Sequence, residues 1–453
     1  MVGFSDKKHY YFLVSYVAIN YILHLFSFSE AIYVHGADAS RYYGAALSLS
    51  QGDGFGDLLN TGPVYPLFLS IHYAILGFDY GNNLLVITQS ILVYFTGTLV
   101  GNLTNKIAPY NIGWIAMLLV IFNPNTIITA HLVQTESLFA LLLVGYLYTL
   151  VRLIKKGGMR QVIILALIAL LVSLTRPAGM YIMLLFIIPS AFLVLNRVSW
   201  LKVLSINVIY YSILLLGLGL WSLNNYDKHG EFFVSANEGT VFRAQYIALL
   251  QYGKSMSLLE ASNKSDIVYK NMIEKEGVIC DNGIDSFKCR KIIAKSYIQA
   301  MMNEDLYTII RAGTSSFINL MFSGGASNFA NYYGIDNKSS VLEFERSAGS
   351  MMSIDKAIKF IDSTNIKYFF ALIVFWGYAI TTKLLLMSGL IYLWNNSNNR
   401  YLIIVMLLYI LLFAAEYLFL GQSRWRVPLD PIMMVFSAFG VYRVINFYNK
   451  RHV

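Results

Sequence analysis

Some ten long apolar stretches divide this sequence, and few charges interrupt them. The chain is 57% hydrophobic and only 13% charged over 453 residues. That is too apolar for a chain that folds in water, and ample for a bundle of spans needing roughly 20 apolar residues each. A charge close to such a span is costly unless it faces a polar cavity, so each one is a candidate for chemistry. The sequence therefore predicts an all-α polytopic membrane protein.

The net charge of +9 is spread over short loops between apolar runs, a sign of membrane topology. No basic tract with interleaved aromatics of the kind that grips single strands is present, which argues against nucleic acid. Tyr and Phe, at 33 and 29 residues, suit rings at a headgroup boundary.

Spans are expected at about 9–28, 84–102, 112–125, 137–151, 161–175, 178–195, 203–222, 368–392, 401–420 and 428–445. The first is read as a retained anchor and not as a cleaved leader. The run 64–78 opens with Pro63-Val64-Tyr65-Pro66, and counting it as a span puts the parity at odds with the charges. The loop 152–160 carries Arg152, Lys155, Lys156 and Arg160, and Lys7 and Lys8 precede the first span. The positive-inside bias places both in the cytoplasm, so an even number of crossings separates them. Treating 64–78 as interfacial or re-entrant satisfies this and gives ten spans with both termini inside. The loops at 103–111, 196–202 and 393–400 then fall inside, whereas 29–83, 126–136, 176–177, 223–367 and 421–427 fall outside.

Three domains are expected: an N-terminal membrane module over 1–222, an α-rich extracytoplasmic domain over 223–367, and C-terminal membrane helices over 368–453. Cys280 and Cys289 lie in the middle one, where an oxidising outer face would favour a disulfide over two free thiols.

Candidate site residues gather in the outer loops. The first reads Asp38-Ala39-Ser40-Arg41-Tyr42, then Gly52-Asp53-Gly54 and Pro63-Val64-Tyr65-Pro66. A carboxylate near an apolar boundary gains proton affinity, which suits a general base. The alternative is a helix N-cap. The glycine turn is no dinucleotide fingerprint, since no strand precedes it. The second loop holds Asn123-Pro124-Asn125, His131 and Thr135-Glu136-Ser137, with Glu136 either facing a polar cavity or ending a helix. Arg176 in the third turn either snorkels to headgroups or offers a phosphate its planar fork. Arg424 and Arg426, flanking Trp425 in the last outer turn, carry the same two readings.

The order of these motifs resembles the GT-C glycosyltransferases, in the branch of protein O-mannosyltransferases and the lipid A aminoarabinose transferase. It runs Asp38–x3–Tyr42–x3–Ala46, Gly52-x-Gly54, Pro63-x-Tyr65-Pro66, Thr135 to Phe139, then Thr175 to Gly179. The segments Asn224 to Gly239 and Ser423 to Pro428 also fit bacterial members. The resemblance implies a polyprenyl-phosphate sugar delivered on the outer leaflet of the cell inner membrane, with a glycan, lipid or protein acceptor. It implies Asp38 as base and Glu136 as the second acid; Arg176, Arg424 and Arg426, with Arg41 next, are expected as donor-phosphate ligands because they are the outer-face cations nearest the cleft. Tyr42, Tyr65 and His131 would contact acceptor or support the site. Protein mannosyltransferases carry an Asp-Glu pair where this chain has Asp38-Ala39, which leaves the acceptor open, and a divalent metal stays open too. Two rival readings are a lipid-linked glycan flippase or transporter and an O-antigen polymerase or ligase. A transporter predicts charges spread through the midplane, where only Lys383 stands clearly mid-span, with Glu416 near an end.

Overall fold

A computed structural model describes residues 6–27, 32, 36–56, 58, 61–107, 110–195, 198–277, 287–335, 365–397 and 399–451. Among the described residues all regular structure is helical. The N-terminal part comprises α1 (Asp6–Leu25), α2 (Gly36–Gln51), α3 (Val64–Ile107), α4 (Gly113–Ile121), α5 (Pro124–Ala130), α6 (Glu136–Lys156) and α7 (Met159–Thr175). A 3-10 turn (Pro177–Tyr181) leads into α8 (Ile182–Leu185), α9 (Ile187–Leu195) and α10 (Trp200–His229). The middle segment holds α11 (Glu238–Lys254), α12 (Leu258–Glu276), α13 (Phe287–Met302), α14 (Leu306–Phe322) and α15 (Ala326–Tyr332). Last come α16 (Ile366–Asn396), α17 (Arg400–Glu416), α18 (Ser423–Arg426) and α19 (Asp430–Arg451).

Ten spans were expected, whereas six helices among the described residues are long and apolar enough to cross a membrane, or seven if the bent pair α4–α5 is one span. The chain is a multi-pass membrane protein. The expected spans at 9–28, 161–175 and 401–420 correspond to α1, α7 and α17, the last two of only 17 residues each, and that at 112–125 to the bent pair. The run 64–78 is helical and continues into the following span, broken only at Gly77 (φ 71°). At 1.5 Å per residue the 44-residue α3 would measure roughly 66 Å, twice a hydrocarbon core of about 30 Å. The Gly77 break thus sets off residues 64–76 from the spanning part. The expected span 112–125 bends by 55° between α4 and α5. Pro124 supplies no N–H to the helix before it, and the Asn123 side chain accepts from the backbone of Asn125 and Thr126 to start a new one.

The main apolar core is shared by α3, α4, α6, α7, α10, α16, α17 and α19. Apolar faces need no hydrophobic drive to meet in lipid, so close backbone approach at small residues does the packing. A Cβ on Gly389 of α16 would lie 1.9 Å from the Phe436 carbonyl oxygen, and one on Gly440 of α19 would lie 2.1 Å from that of Leu385. The two helices therefore cross in contact. Loops assigned to the cytoplasm gather at one end: Lys155 Nζ donates to the Lys106 carbonyl at 2.6 Å, and Asn399 Nδ2 to that of Ile107 at 2.9 Å.

The middle segment gathers Tyr246, Leu249, Leu250, Ala261 and Tyr297 into one buried cluster, which Phe419 of the C-terminal part joins. Its start lies later than residue 223, because α10 continues through Asn225 and ends at a left-handed Gly230 cap. Its end is not separate from the bundle either. Ala326, Ala330 and Tyr332 of α15 pack on Tyr368, Leu372 and Phe375 of α16.

Gly389→Ala is expected to lower stability by about 1–3 kcal/mol through overpacking. Melting of the detergent-solubilised variant checks this, and an unchanged melting temperature would mean the α16–α19 contact is slack.

Candidate functional site

Four segments far apart in sequence bring charged side chains to one point. Asp38 lies in the first turn of α2. Glu136 is the first residue of α6, and Thr135 before it makes no side-chain cap, so the carboxylate meets the positive end of a long helix dipole. Arg176 is extended (φ −143°, ψ 140°) between α7 and the 3-10 turn, as the residue before a proline must be. Its backbone is pinned on both sides, since Arg176 N–H donates to Val172 O and its own carbonyl accepts from Gly179 N–H. Gly179 cannot be larger there: a Cβ would stand 2.3 Å from the Val172 carbonyl oxygen. Arg424 projects from the single turn of α18.

The geometry joins them. Arg424 Nε donates to Glu136 Oε1 at 2.8 Å, and Arg176 Nη1 reaches the same oxygen at 3.3 Å. Arg424 Nη1 pairs with Asp38 Oδ2 at 2.8 Å. Arg41 stands 3.6 Å from the other Asp38 oxygen. Exposure falls steadily inward, from 35% for the Asp38 side chain through 10% for Arg176 and Arg424 to 0% for Glu136. Asp38 is thus at the mouth and Glu136 at the floor, with its Oε2 buried and unpartnered.

Aromatic rings wall this cluster. The Arg176 guanidinium lies 4.9 Å from the Trp425 ring centroid and 5.4 Å from that of Phe139, and Arg424 lies 5.0 Å from Trp425. Tyr417 stacks on Trp425 at 4.8 Å. Cation–π contacts of this kind strengthen as water leaves. Burial works against the Arg176 cation, yet Tyr417, Glu136 and Tyr42 around it raise its proton affinity above the ordinary arginine value. Burial likewise opposes the Arg424 cation, and Glu136 and Asp38 raise it. Both arginines stay charged. Burial pushes the Tyr42 phenol up, with the charges of Arg176, Asp38, Glu136 and Arg424 acting on it in turn.

The sequence-derived candidates divide accordingly. Asp38, Glu136, Arg176, Arg424, Arg41 and Tyr42 come together. Tyr65 supports them from behind: its ring meets Tyr42 edge-on at 5.0 Å, and its hydroxyl donates to Gln89 Oε1 at 3.4 Å. Gln89 Nε2 in turn donates to the carbonyls of Ala130 and Leu132, which fixes the strand of chain leading to Glu136. His131 belongs to another cluster. Its Nε2 meets Asn20 Oδ1 at 3.1 Å, and its ring lies 5.5 Å from Tyr332. Burial and then the neighbouring His24 lower its pKa to about 3, so it is neutral.

Arg426 is corrected from the expected phosphate set. Residues two apart on a helix point about 200° apart, so Arg426 faces away from Arg424. Its Nε donates to Asp430 Oδ1 at 2.9 Å, and Nη1 to the carbonyls of Leu320 and Met321 at 2.6 and 2.8 Å. Cys280 lies outside the described residues, and the expected disulfide with it; Cys289 is buried. Sequence reasoning missed the walls Phe139, Tyr417 and Trp425, although Trp425 between two arginines was a visible signal. Among the described residues no group of three or more His, Cys, Asp or Glu side chains could hold a metal ion.

No protein-family profile matches the sequence, and no curated protein matches it. Solved structures match in fold. The archaeal oligosaccharyltransferase AglB from Archaeoglobus fulgidus, in complex with an inhibitory peptide and a dolichol-phosphate, aligns with a TM-score of 0.50 at 15% identity. The match covers 99% of this chain and 52% of that one. The apo form of the Archaeoglobus fulgidus oligosaccharyltransferase gives 0.51 at 14% identity, over 100% of this chain and 52% of the other. ArnT from Cupriavidus metallidurans, bound to undecaprenyl phosphate, is a weaker likeness, with a TM-score of 0.40 at 12% identity over 97% and 79% of the two chains. The chain thus spans about half the length of the archaeal enzyme it matches. At such identities the likeness is one of fold: the chain shares the membrane fold of the archaeal oligosaccharyltransferase, itself a GT-C enzyme, the class that the order of the outer-loop motifs resembles.

Proposed function

We propose that the chain is an integral-membrane glycosyltransferase that moves a sugar from a polyprenyl-phosphate donor to an acceptor hydroxyl. The observation that carries this reading is one ion-paired cluster in which an exposed carboxylate, Asp38, shares a guanidinium with a buried one, Glu136. The two acids meet three arginines, Arg41, Arg176 and Arg424. Within these ion pairs the cations outnumber the acids by one, with Glu416 a third carboxyl whose charge reaches Arg176, and at the mouth of an apolar bundle a lipid phosphate is the natural anion. The fold it shares with an enzyme solved with a dolichol-phosphate supports the same class.

The reaction is a single in-line displacement. The acceptor oxygen attacks the anomeric carbon, the bond from that carbon to the phosphate oxygen breaks, and its electron pair leaves with the phosphate. Asp38 takes the acceptor proton. Arg176 and Arg424 meet the charge growing on the leaving phosphate, so no general acid is needed, and the anomeric configuration inverts. Glu136 is sealed from solvent, so it acts on the arginines, holding both forks toward the mouth. Arg424 serves Asp38 until the donor arrives; the phosphate then competes for the fork and releases the carboxylate as base. The site faces the outside of the cytoplasmic membrane in this reading, because the basic loops lie at the opposite end, and the segment 223–367 selects the acceptor.

Asp38→Asn keeps shape but cannot accept a proton, so transfer should fall about 10²–10⁴-fold with insertion unchanged. The assay follows release of labelled sugar from a panel of polyprenyl-phosphate sugars in nanodiscs. Wild-type turnover by the variant would remove Asp38 from the mechanism. Movement of the labelled lipid across the bilayer with no glycosidic bond formed would favour the transporter reading instead.

Glu136→Gln leaves two buried guanidiniums with less anion to share. Breaking one side of a buried ion pair costs about 3–5 kcal/mol, so the variant should melt well below wild type. Farnesyl phosphate should recover more of that loss than it adds to wild type, because it supplies the missing anion. Equal stabilisation of both proteins would argue that the phosphate binds elsewhere. For orientation, an alkaline phosphatase fusion at Ser257 should be active in cells. Inactivity there, beside an active fusion at Asp53, would overturn the shared outer face.

A further inference from the structure

Arg424 acts from an element with little stability of its own. A helix of one turn gains too few hydrogen bonds to offset its ordering, yet Arg424 must meet Glu136 and Asp38 at hydrogen-bond distance. Its backbone is held from several sides. Asn125 Nδ2 donates to the Ser423 carbonyl at 3.0 Å. Gly421 lies so close to α14 that a Cβ would sit 2.0 Å from the Ser316 carbonyl oxygen. The strongest hold is ionic and lies behind the turn. Asp430 Oδ1 accepts from Arg426 Nε at 2.9 Å and from Lys383 Nζ at 2.8 Å, while Oδ2 accepts from Asn123 Nδ2 at 3.0 Å. Lys383, Arg426 and Asp430 are each at most 4% exposed.

We propose that Asp430 is a positioning residue for the donor phosphate, acting through Arg426 to fix the turn from which Arg424 reaches the site. This rests on the reading of Arg424 as a phosphate ligand. Arg426 ties the turn to the end of α14 through the Leu320 and Met321 carbonyls. Lys383 ties Asp430 to α16, and Asn123 ties it to the start of α5, whose Asn125 returns to Ser423. The Arg426–Asp430, Asp430–Asn123 and Asn125–Ser423 contacts close a ring around α18, which Lys383 and the two carbonyls tie to α16 and α14. The same buried carboxylate also explains two charges that no surface role accounts for: a lysine in mid-span and the second arginine of the Arg-Trp-Arg turn. Charge-assisted hydrogen bonds are the strong ones, and they fix direction as well as distance. Without the Asp430 charge, Arg426 loses the partner that sets its fork, and the turn can rotate Arg424 off Glu136.

The test is a double-mutant cycle read as affinity for farnesyl phosphate, by calorimetry on the full detergent-solubilised chain. Arg424→Gln should weaken binding about 10-fold or more, and Asp430→Asn about 10-fold. The double variant should bind no worse than Arg424→Gln alone, because Asp430 acts only through that arginine. Gly113→Ala is the control for general loosening: a Cβ there would lie 2.2 Å from the Gly101 carbonyl oxygen, so it strains the α3–α4 contact at the opposite end from the ring, and its affinity should match wild type. Should Asp430→Asn not yield a monodisperse protein, Lys383→Met carries the same cycle with an expected loss of several-fold. Wild-type affinity in Asp430→Asn or Lys383→Met, additive losses in the double variant, or an equal loss in Gly113→Ala would each overturn the proposal. Wild-type affinity in Arg424→Gln would instead overturn the phosphate reading of Arg424, and the positioning role with it.

Discussion

A carboxylate with no contact with water sits where α6 begins, and the site depends on what neutralises it. Glu136 is fully buried, a position that costs several kcal/mol for an unpaired ion. One of its oxygens receives both Arg176 and Arg424, and the positive end of a 21-residue helix adds to them. Each requirement fixes a piece of chain. Arg176 must leave α7 in an extended conformation, which Pro177 enforces. Arg424 must stand on a turn placed opposite, which the ring around α18 secures. Asp38 then completes the cluster from α2 by sharing Arg424. Remove Glu136, and two buried cations have no reason to converge.

The cation excess recurs in the layer beneath. Asp430 is the single acid between Lys383 and Arg426, just as the upper cluster sets two acids against three arginines. The roles differ because the contacts differ. In the lower network the named donors of Arg426 are directed to Asp430 and to two backbone carbonyls, which makes it a brace. In the upper cluster the pairing is shared and partly open to solvent, which is what an exchangeable anion site requires. The aromatic walls sharpen the contrast, since Trp425, Phe139 and Tyr417 lower the local dielectric and make each charge count for more.

Asp38, Glu136, Arg176 and Arg424 were legible because sidedness alone groups them: each lies at a span end or outer loop, and alternation places those on one face. Arg426 shares that face in sequence, and it was misread because its direction depends on helical rotation within one turn. The Lys383–Asp430 pair links positions 47 apart across two helices. Lys383 stood out mid-span, but its partner depends on the register at which α16 and α19 cross, which Gly389 and Gly440 set. Of the ten expected spans, six helices, or seven with the bent pair, are long and apolar enough among the described residues, and the backbone adds what hydropathy does not show. Hydropathy marks apolar length, whereas the breaks at Gly77 and at Asn123-Pro124 are backbone events; the second had a visible cap and proline, the first only a lone glycine among apolar residues. His131 looked like a site residue because it lies near Glu136 in sequence, yet α5 turns it toward Asn20 and Tyr332.

The bond between Asp38 and Arg424 both orients and restrains. A carboxylate 2.8 Å from a guanidinium is aimed at the mouth, but the pairing occupies an oxygen that a base must have free. Were Arg424 to hold Asp38 alone, binding the donor would cost the full loss of that pair. Because Arg424 also holds Glu136, in the proposed mechanism the guanidinium would keep its place when Asp38 lets go, and a phosphate would need only to replace the exposed half of the interaction. Exposed ion pairs contribute about 0–1 kcal/mol and buried ones far more when broken. The exchange therefore runs at the cheap end of the cluster, while the expensive end stays intact as scaffold. In the proposed mechanism, the inward fall in exposure from Asp38 to Glu136 is the physical condition for a base that an arriving donor would release.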